Sequence, residues 1–193
     1  MFNPNIVFNF YSKSADKAPG KGTGESLSPQ ELASEYTELS KIKDWRQKLS
    51  NFAISPFRLD GKMWNSVEHF YQASKFRQDN PDFYDVFSLD SGSDLSKDPA
   101  MAKSAGGKTG KVGGKKFRLS SVRMDEDFFT SGRTNKVMYA AQYAKFTTIP
   151  EMRDVLLKTR EAKLMHTVGR SSVKVYFENL VIIREIISGG ISL

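Results

Sequence analysis

The chain contains no cysteine. Disulfides, thiolate metal sites and cysteine nucleophiles are therefore excluded, and the composition fits a cytoplasmic protein. Histidine is almost absent as well, with only His69 and His166. No H-E-x-x-H or similar spacing exists, so neither a metal nor another cofactor is expected. Both histidines read as ordinary surface or supporting residues. No G-x-S-x-G elbow supports a serine triad. No apolar run reaches about 18 residues, so no membrane-spanning helix is expected. The N-terminal "MFNPNIVFNFYS" lacks the basic region and long apolar core of a secretory signal.

What is present is a 193-residue chain with 39% hydrophobic residues, enough for one domain with a sizeable core. Basic residues outnumber acidic ones, 29 to 22, for a net charge of +7. That balance suits phosphates, nucleotides or nucleic acid, although a solvated basic surface would produce it too.

Residues 5–12 are β-branched and aromatic and read as a strand. Residues 13–26, rich in Gly, Pro, Ser and Lys, read as a loop. A helix should follow, with Ser28 as N-cap, Pro29 in the first turn and Glu31 completing a capping box. Asp60-Gly61 between two short apolar runs signals a hairpin. A short helix is expected around 98–105, a loop over the Gly-Lys run at 106–116, and helices over 134–146 and 150–158. The tail 173–187 has β-branched content, but its apolar residues fall at helical spacing, which favours a helix. The class is α+β, mainly helical around a small antiparallel sheet, in a single domain over 1–193.

Two stretches raise chemical questions. Ala102, four residues, then Gly107-Lys108-Thr109 formally meets a loose phosphate-loop pattern. It follows no apolar strand and opens no helix, so it reads as a basic loop. In "NSVEHFYQASKF", residues 65–76, a helix should begin at Asn65 or Ser66. Glu68, Gln72 and Lys75 then share one stripe at i, i+4 and i+7. With Asn65 as N-cap, Glu68 would occupy the third helical position, where a capping-box glutamate belongs. Spacing alone favours that cap, with Gln72 and Lys75 as exposed decoration.

The blocks "NFYS" (9–12), "LSNFAISPFRLDGKMWNSVEHFYQASKF" (49–76), "DPAMAK" (98–103) and "NKVMYAAQYAKF" (135–146), with the closing "NLVIIRE", resemble the NADAR, or YbiA-like, family. The resemblance spans most of the chain. It implies an N-glycosidase that hydrolyses a ribose–nitrogen bond, with the matched glutamate, Glu68, as the leading catalytic residue. The expected reaction is removal of ADP-ribose from a modified nucleobase or conjugate. A phosphoribosylamino-pyrimidine of riboflavin synthesis is the alternative substrate, and an inactive ADP-ribose or nucleic-acid reader is the rival class. The partner is accordingly an ADP-ribose-containing or phosphoribosyl small molecule, or ADP-ribosylated nucleic acid, with no membrane.

N-glycoside hydrolysis develops positive charge on the sugar, which an apposed carboxylate stabilises while it activates water. Around the matched blocks, Phe10, Tyr11 and Trp64 are candidates for stacking on a base. Lys62 and Lys75 are candidates for phosphate, Asn51 and Gln72 for hydroxyl or amide contacts, and Ser12 and His69 for further contacts. The chain departs from the family pattern in three places. Residues 13–48 resemble an insertion. A Trp-Gly-x-Gly stretch is replaced by "MHTVGRSSVKVYFENL", which offers Arg170. In place of an expected Trp stands "SVRMDEDFF", where Asp125 is a candidate substitute acid.

Overall fold

The computed structural model describes residues 3–168 and 173–190. In chain order the elements are β1 (Asn3–Phe10), α1 (Pro29–Glu31), a π-helical segment (Leu32–Tyr36), α2 (Thr37–Ser40) and α3 (Trp45–Leu49). The middle of the chain forms β2 (Phe57–Leu59), β3 (Lys62–Trp64), α4 (Val67–Ser74), α5 (Pro81–Asp85), α6 (Pro99–Ala105), β4 (Lys111–Val112) and β5 (Lys115–Lys116). α7 (Arg133–Thr148), α8 (Pro150–Lys158), β6 (Ala162–Thr167), β7 (Lys174–Tyr176) and α9 (Glu178–Ile187) complete it. The class is α+β, as the sequence implies. The elements gather into two compact units, one taking in residues up to Ala53 and from Phe146, the other Ile54–Lys145.

The first unit is built on a three-stranded sheet in the order β1-β6-β7. β1 runs parallel to β6, and β6 antiparallel to β7, so this sheet is mixed rather than antiparallel throughout. The reason is topological: β1 and β6 are distant in sequence, so no hairpin constrains their direction. Ile6, Phe8 and Phe10 face inward at the strand period of two. Phe8 meets Tyr36 and Trp45 edge-on, at 5.0 and 5.3 Å between centroids. The capping box forms as expected: Glu31 N donates to Ser28 Oγ (3.1 Å) and Ser28 N to Glu31 Oε2 (2.7 Å). The ambiguous tail contains both structures, β7 and then α9.

The loop expected at 13–26 is tied down by Glu25. Its carboxylate accepts from the backbone N–H of Asn9 (2.7 Å), Gly20 (3.2 Å) and Gly22 (3.1 Å), and from Arg46 Nη2 (2.6 Å). Arg46 also donates to Lys17 O and Ala18 O and lies 4.1 Å over the Trp45 ring.

The second unit carries the hairpin β2–β3. Asp60 (φ 52°) and Gly61 (φ 75°) both take the left-handed conformation that a tight two-residue turn requires. α4 is buried along almost its whole length and packs against α5, α6 and β3. Asp98 caps α6 through Ala100 N (2.7 Å). The Gly-Lys run does not remain a loop. Gly113 (φ 54°) and Gly114 (φ 84°) turn it into the short antiparallel hairpin β4–β5.

Candidate functional site

α4 begins one residue later than a capping-box glutamate would need. Ser66 is the N-cap, in extended conformation, and its Oγ accepts from His69 N (3.4 Å). Asn65 instead donates its side-chain amide to Ser96 O and Lys97 O. The third helical position is therefore His69, and Glu68 occupies the second, where it makes no bond to the cap. His69 Nδ1 lies 2.8 Å from Ser66 Oγ. Burial lowers the His69 pKa to about 4, so the ring is neutral. The ring is fully enclosed and supports the helix start through Ser66.

The stripe at Glu68, Gln72 and Lys75 is a connected chain. Gln72 Nε2 donates to Glu68 Oε1 (2.7 Å), and Lys75 Nζ donates to Gln72 Oε1 (2.6 Å) and Gly106 O (3.3 Å). The three residues are only 6%, 4% and 7% exposed, so they are not surface decoration. Burial raises the Glu68 pKa, opposed by the Gln72 hydrogen bond and the charges of Lys103 and Lys75. Burial lowers the Lys75 pKa to about 8.

The stripe depends on Gly106, at the end of α6, for a steric reason. A Cβ there would lie 2.3 Å from Gln72 Oε1. Among the described residues Gln72 is the one hydrogen-bond partner of Glu68, so most of the carboxylate's acceptor capacity is uncommitted.

Asp125 is placed differently from the substitute acid the sequence suggested. Its backbone N–H donates to Lys75 O (2.7 Å). Its carboxylate accepts from Gln78 N (3.1 Å), Asp79 N (3.2 Å) and Arg133 Nη2 (2.8 Å). Arg133 also bonds Asp127 (2.6 Å) and Ser74 O (3.3 Å). Asp125 and Arg133 thus anchor the C-terminal end of α4, which carries Lys75. The geometry gives Asp125 a positioning role.

Two stacking candidates are core residues. Trp64 is fully buried, edge-on to Phe70 and Tyr84, with Nε1 bonded to Leu59 O (2.9 Å). Phe10 is fully buried against His166 and Phe177. Neither presents a face to a base. Tyr11 is 37% exposed and retains one. Lys62 is ion-paired with Asp85 at 3.0 Å. Ser12 and Asn51 are half-buried and, with Phe10 and Tyr11, belong to the first unit, whereas the Glu68 stripe belongs to the second. Arg170 lies outside the described residues.

Sequence reasoning missed Gly106, Arg118 and Arg133. Arg118 lines a pocket of about 620 Å³ together with Lys75. The available signal was the segment 106–123, which carries six basic residues and no acidic one. Among the described residues no three His, Asp or Glu side chains gather as a metal site would require.

A small α+β protein with a buried acid–amide–amine stripe opening a helix is what these observations define. The chain belongs to the NADAR domain family, whose model matches residues 31–173. It is similar in fold to the E. coli protein YbiA, known from an NMR structure, with a TM-score of 0.57 and 22% sequence identity. That likeness covers 96% of this chain and 87% of YbiA. No curated protein sequence matches. The family is associated with N-glycosidase activity.

Proposed function

We propose that the protein hydrolyses an N-glycosidic bond at a ribose carbon, releasing ADP-ribose from a modified nucleobase or ADP-ribosyl conjugate, with Glu68 as the catalytic carboxylate. The observation that carries this reading is the buried Glu68 carboxylate held by a single donor, Gln72. A carboxylate saturated with donors would be a poor base. One held at a single oxygen keeps lone pairs for water and negative charge for the sugar.

Burial, which raises the Glu68 pKa, makes the carboxylate a stronger base than a solvated one. As the bond to nitrogen breaks, the base departs with the bonding pair and the oxocarbenium-like sugar is stabilised by that charge. Water adds to the sugar carbon with Glu68 accepting its proton, and the departing nitrogen takes up a proton from solvent. Gln72 fixes the carboxylate's orientation, and Lys75 fixes Gln72. Both are positioning residues in this scheme.

The test is mass spectrometry of ADP-ribosylated nucleosides and oligonucleotides incubated with the protein and with Glu68→Gln. Release of ADP-ribose by the wild type alone supports the reading. Binding without turnover by both proteins would make this a reader module. Turnover only of a phosphoribosylamino-pyrimidine would move the substrate to the other class.

A further inference from the structure

The pocket shared by Lys75 and Arg118 lies within the second unit and is lined by charge of one sign. Lys75, Lys108, Lys116, Arg118 and Arg123 line it, and no Asp or Glu does. Among the described residues none of these five makes an ion pair, whereas Lys41, Lys48, Lys62, Lys97 and Lys158 elsewhere are each paired.

The hairpin adds to the imbalance. Lys111 and Lys116 stand directly opposite each other in the β4–β5 register, an arrangement of like charges that costs stability. Arg118 is fixed by Nη2 donating to Lys108 O (2.9 Å) and by its guanidinium lying 5.2 Å over the Phe76 ring. Its Nη1 is buried and has no partner among the described residues. A buried charged donor without an acceptor is costly, and an arriving anion would remove that cost. Phe129, 59% exposed, lines the same pocket and offers a ring face.

We propose that this pocket is a nucleotide-phosphate site, with Arg118, Lys75, Lys108 and Lys116 holding phosphate oxygens and Phe129 covering the base. The volume is that of a small-molecule site, and a planar guanidinium beside mobile ammonium groups is the usual donor set for phosphate. The proposal stands whether or not the ribose–nitrogen bond is the one cleaved, because it concerns binding alone.

The experiment is calorimetric titration of the full chain with ADP, inorganic pyrophosphate and a single-stranded oligonucleotide at low ionic strength. ADP and pyrophosphate should each bind once. Loss of a charge-assisted donor in Arg118→Gln should weaken both by about tenfold or more. Lys108→Ala with Lys116→Ala, at exposed positions that cannot disturb the core, should weaken both. The control pair Lys41→Ala with Lys97→Ala should not. Phe129→Ala should weaken ADP by about fivefold or more while sparing pyrophosphate, as loss of base stacking requires. The titration requires no turnover, so a failed glycosidase assay leaves this result intact. The proposal is overturned if ADP shows no saturable binding, if the control pair weakens it as much as the pocket pair, or if only the oligonucleotide binds.

Discussion

Glu25 and Glu68 are both carboxylates removed from water, and they are treated in opposite ways. Glu25 is sealed, and four donors converge on it: three backbone N–H groups and Arg46. Glu68 accepts from Gln72. A carboxylate with its lone pairs filled is a fastener, whose negative charge is spent on holding a loop. One left largely unfilled retains charge and basicity at the expense of stability. Burial alone does not separate these two acids; the number of donors does.

The largest effect expected from breaking this contrast is at Glu68. Glu68→Gln retains the hydrogen bond capacity toward Gln72 but not the charge, so turnover should fall by about 100- to 10,000-fold, as loss of a general base does. Its melting temperature should equal or exceed that of the wild type. The sign follows from linkage. Burial raises the Glu68 pKa in the folded state, so the penalty of ionising it builds up as pH rises from the unfolded-state value to the raised folded one. It is present in full above the folded value, and Gln removes it. A folded Gln variant with wild-type rate would return Glu68 to a structural role.

Glu25→Gln should do the reverse. It leaves Arg46 buried without its counter-charge, for a loss of about 3–5 kcal/mol in urea denaturation. Turnover per folded molecule should stay near wild type. An active-site defect without a stability loss would mean that the two glutamates have been assigned the wrong way round.

Gly106→Ala sharpens the comparison without touching either acid. The added methyl meets Gln72 Oε1, so the donor to Glu68 must shift. Misorientation of this kind should lower kcat by about tenfold, and the overpacking should cost about 1–3 kcal/mol of stability, less than Glu25→Gln. An equal fall in kcat/KM with unchanged kcat would place Gly106 in substrate binding instead.

The smallest effect is in pH dependence. The Lys75 pKa is lowered to about 8 from 10.5, chiefly by burial, with Glu68 opposing and Arg118 and Lys103 reinforcing. Between those values the unfolded chain holds a proton that the folded one lacks, so stability rises with pH across that window. Lys145, fully buried and lowered to about 7, contributes in the same direction. Comparing Lys75→Met with wild type isolates the Lys75 share, and the variant should show a shallower rise between pH 8 and 10.

The sequence was most legible where structure is local. Ser28-Pro29 with Glu31, the Asp60-Gly61 turn and the Pro150 helix start depend on residues within a few positions of one another, and each forms as read. The spacing of Glu68, Gln72 and Lys75 was visible, but their burial was not, because it depends on Gly106 and the packing of α6. A one-residue choice between Asn65 and Ser66 as N-cap decided whether Glu68 could complete a capping box. The hydrogen bonds of Asp125 could not be read locally, because its partners Gln78 and Asp79 lie 47 and 46 positions away. Glu25 was invisible within a Gly- and Lys-rich stretch, and nothing local distinguishes it from a solvated loop residue.

Gln72 has a further consequence. An ammonium group can only donate, and an ionised carboxylate can only accept, so the amide between them has one workable orientation. It conducts polarity from Lys75 to Glu68 while preventing the two from closing into a contact ion pair. Had they met directly, each would have quenched the other, leaving an inert salt. Held one amide apart, the two groups stay separate across about two turns of helix. The anion can still face an electron-poor centre while the cation faces an anionic group.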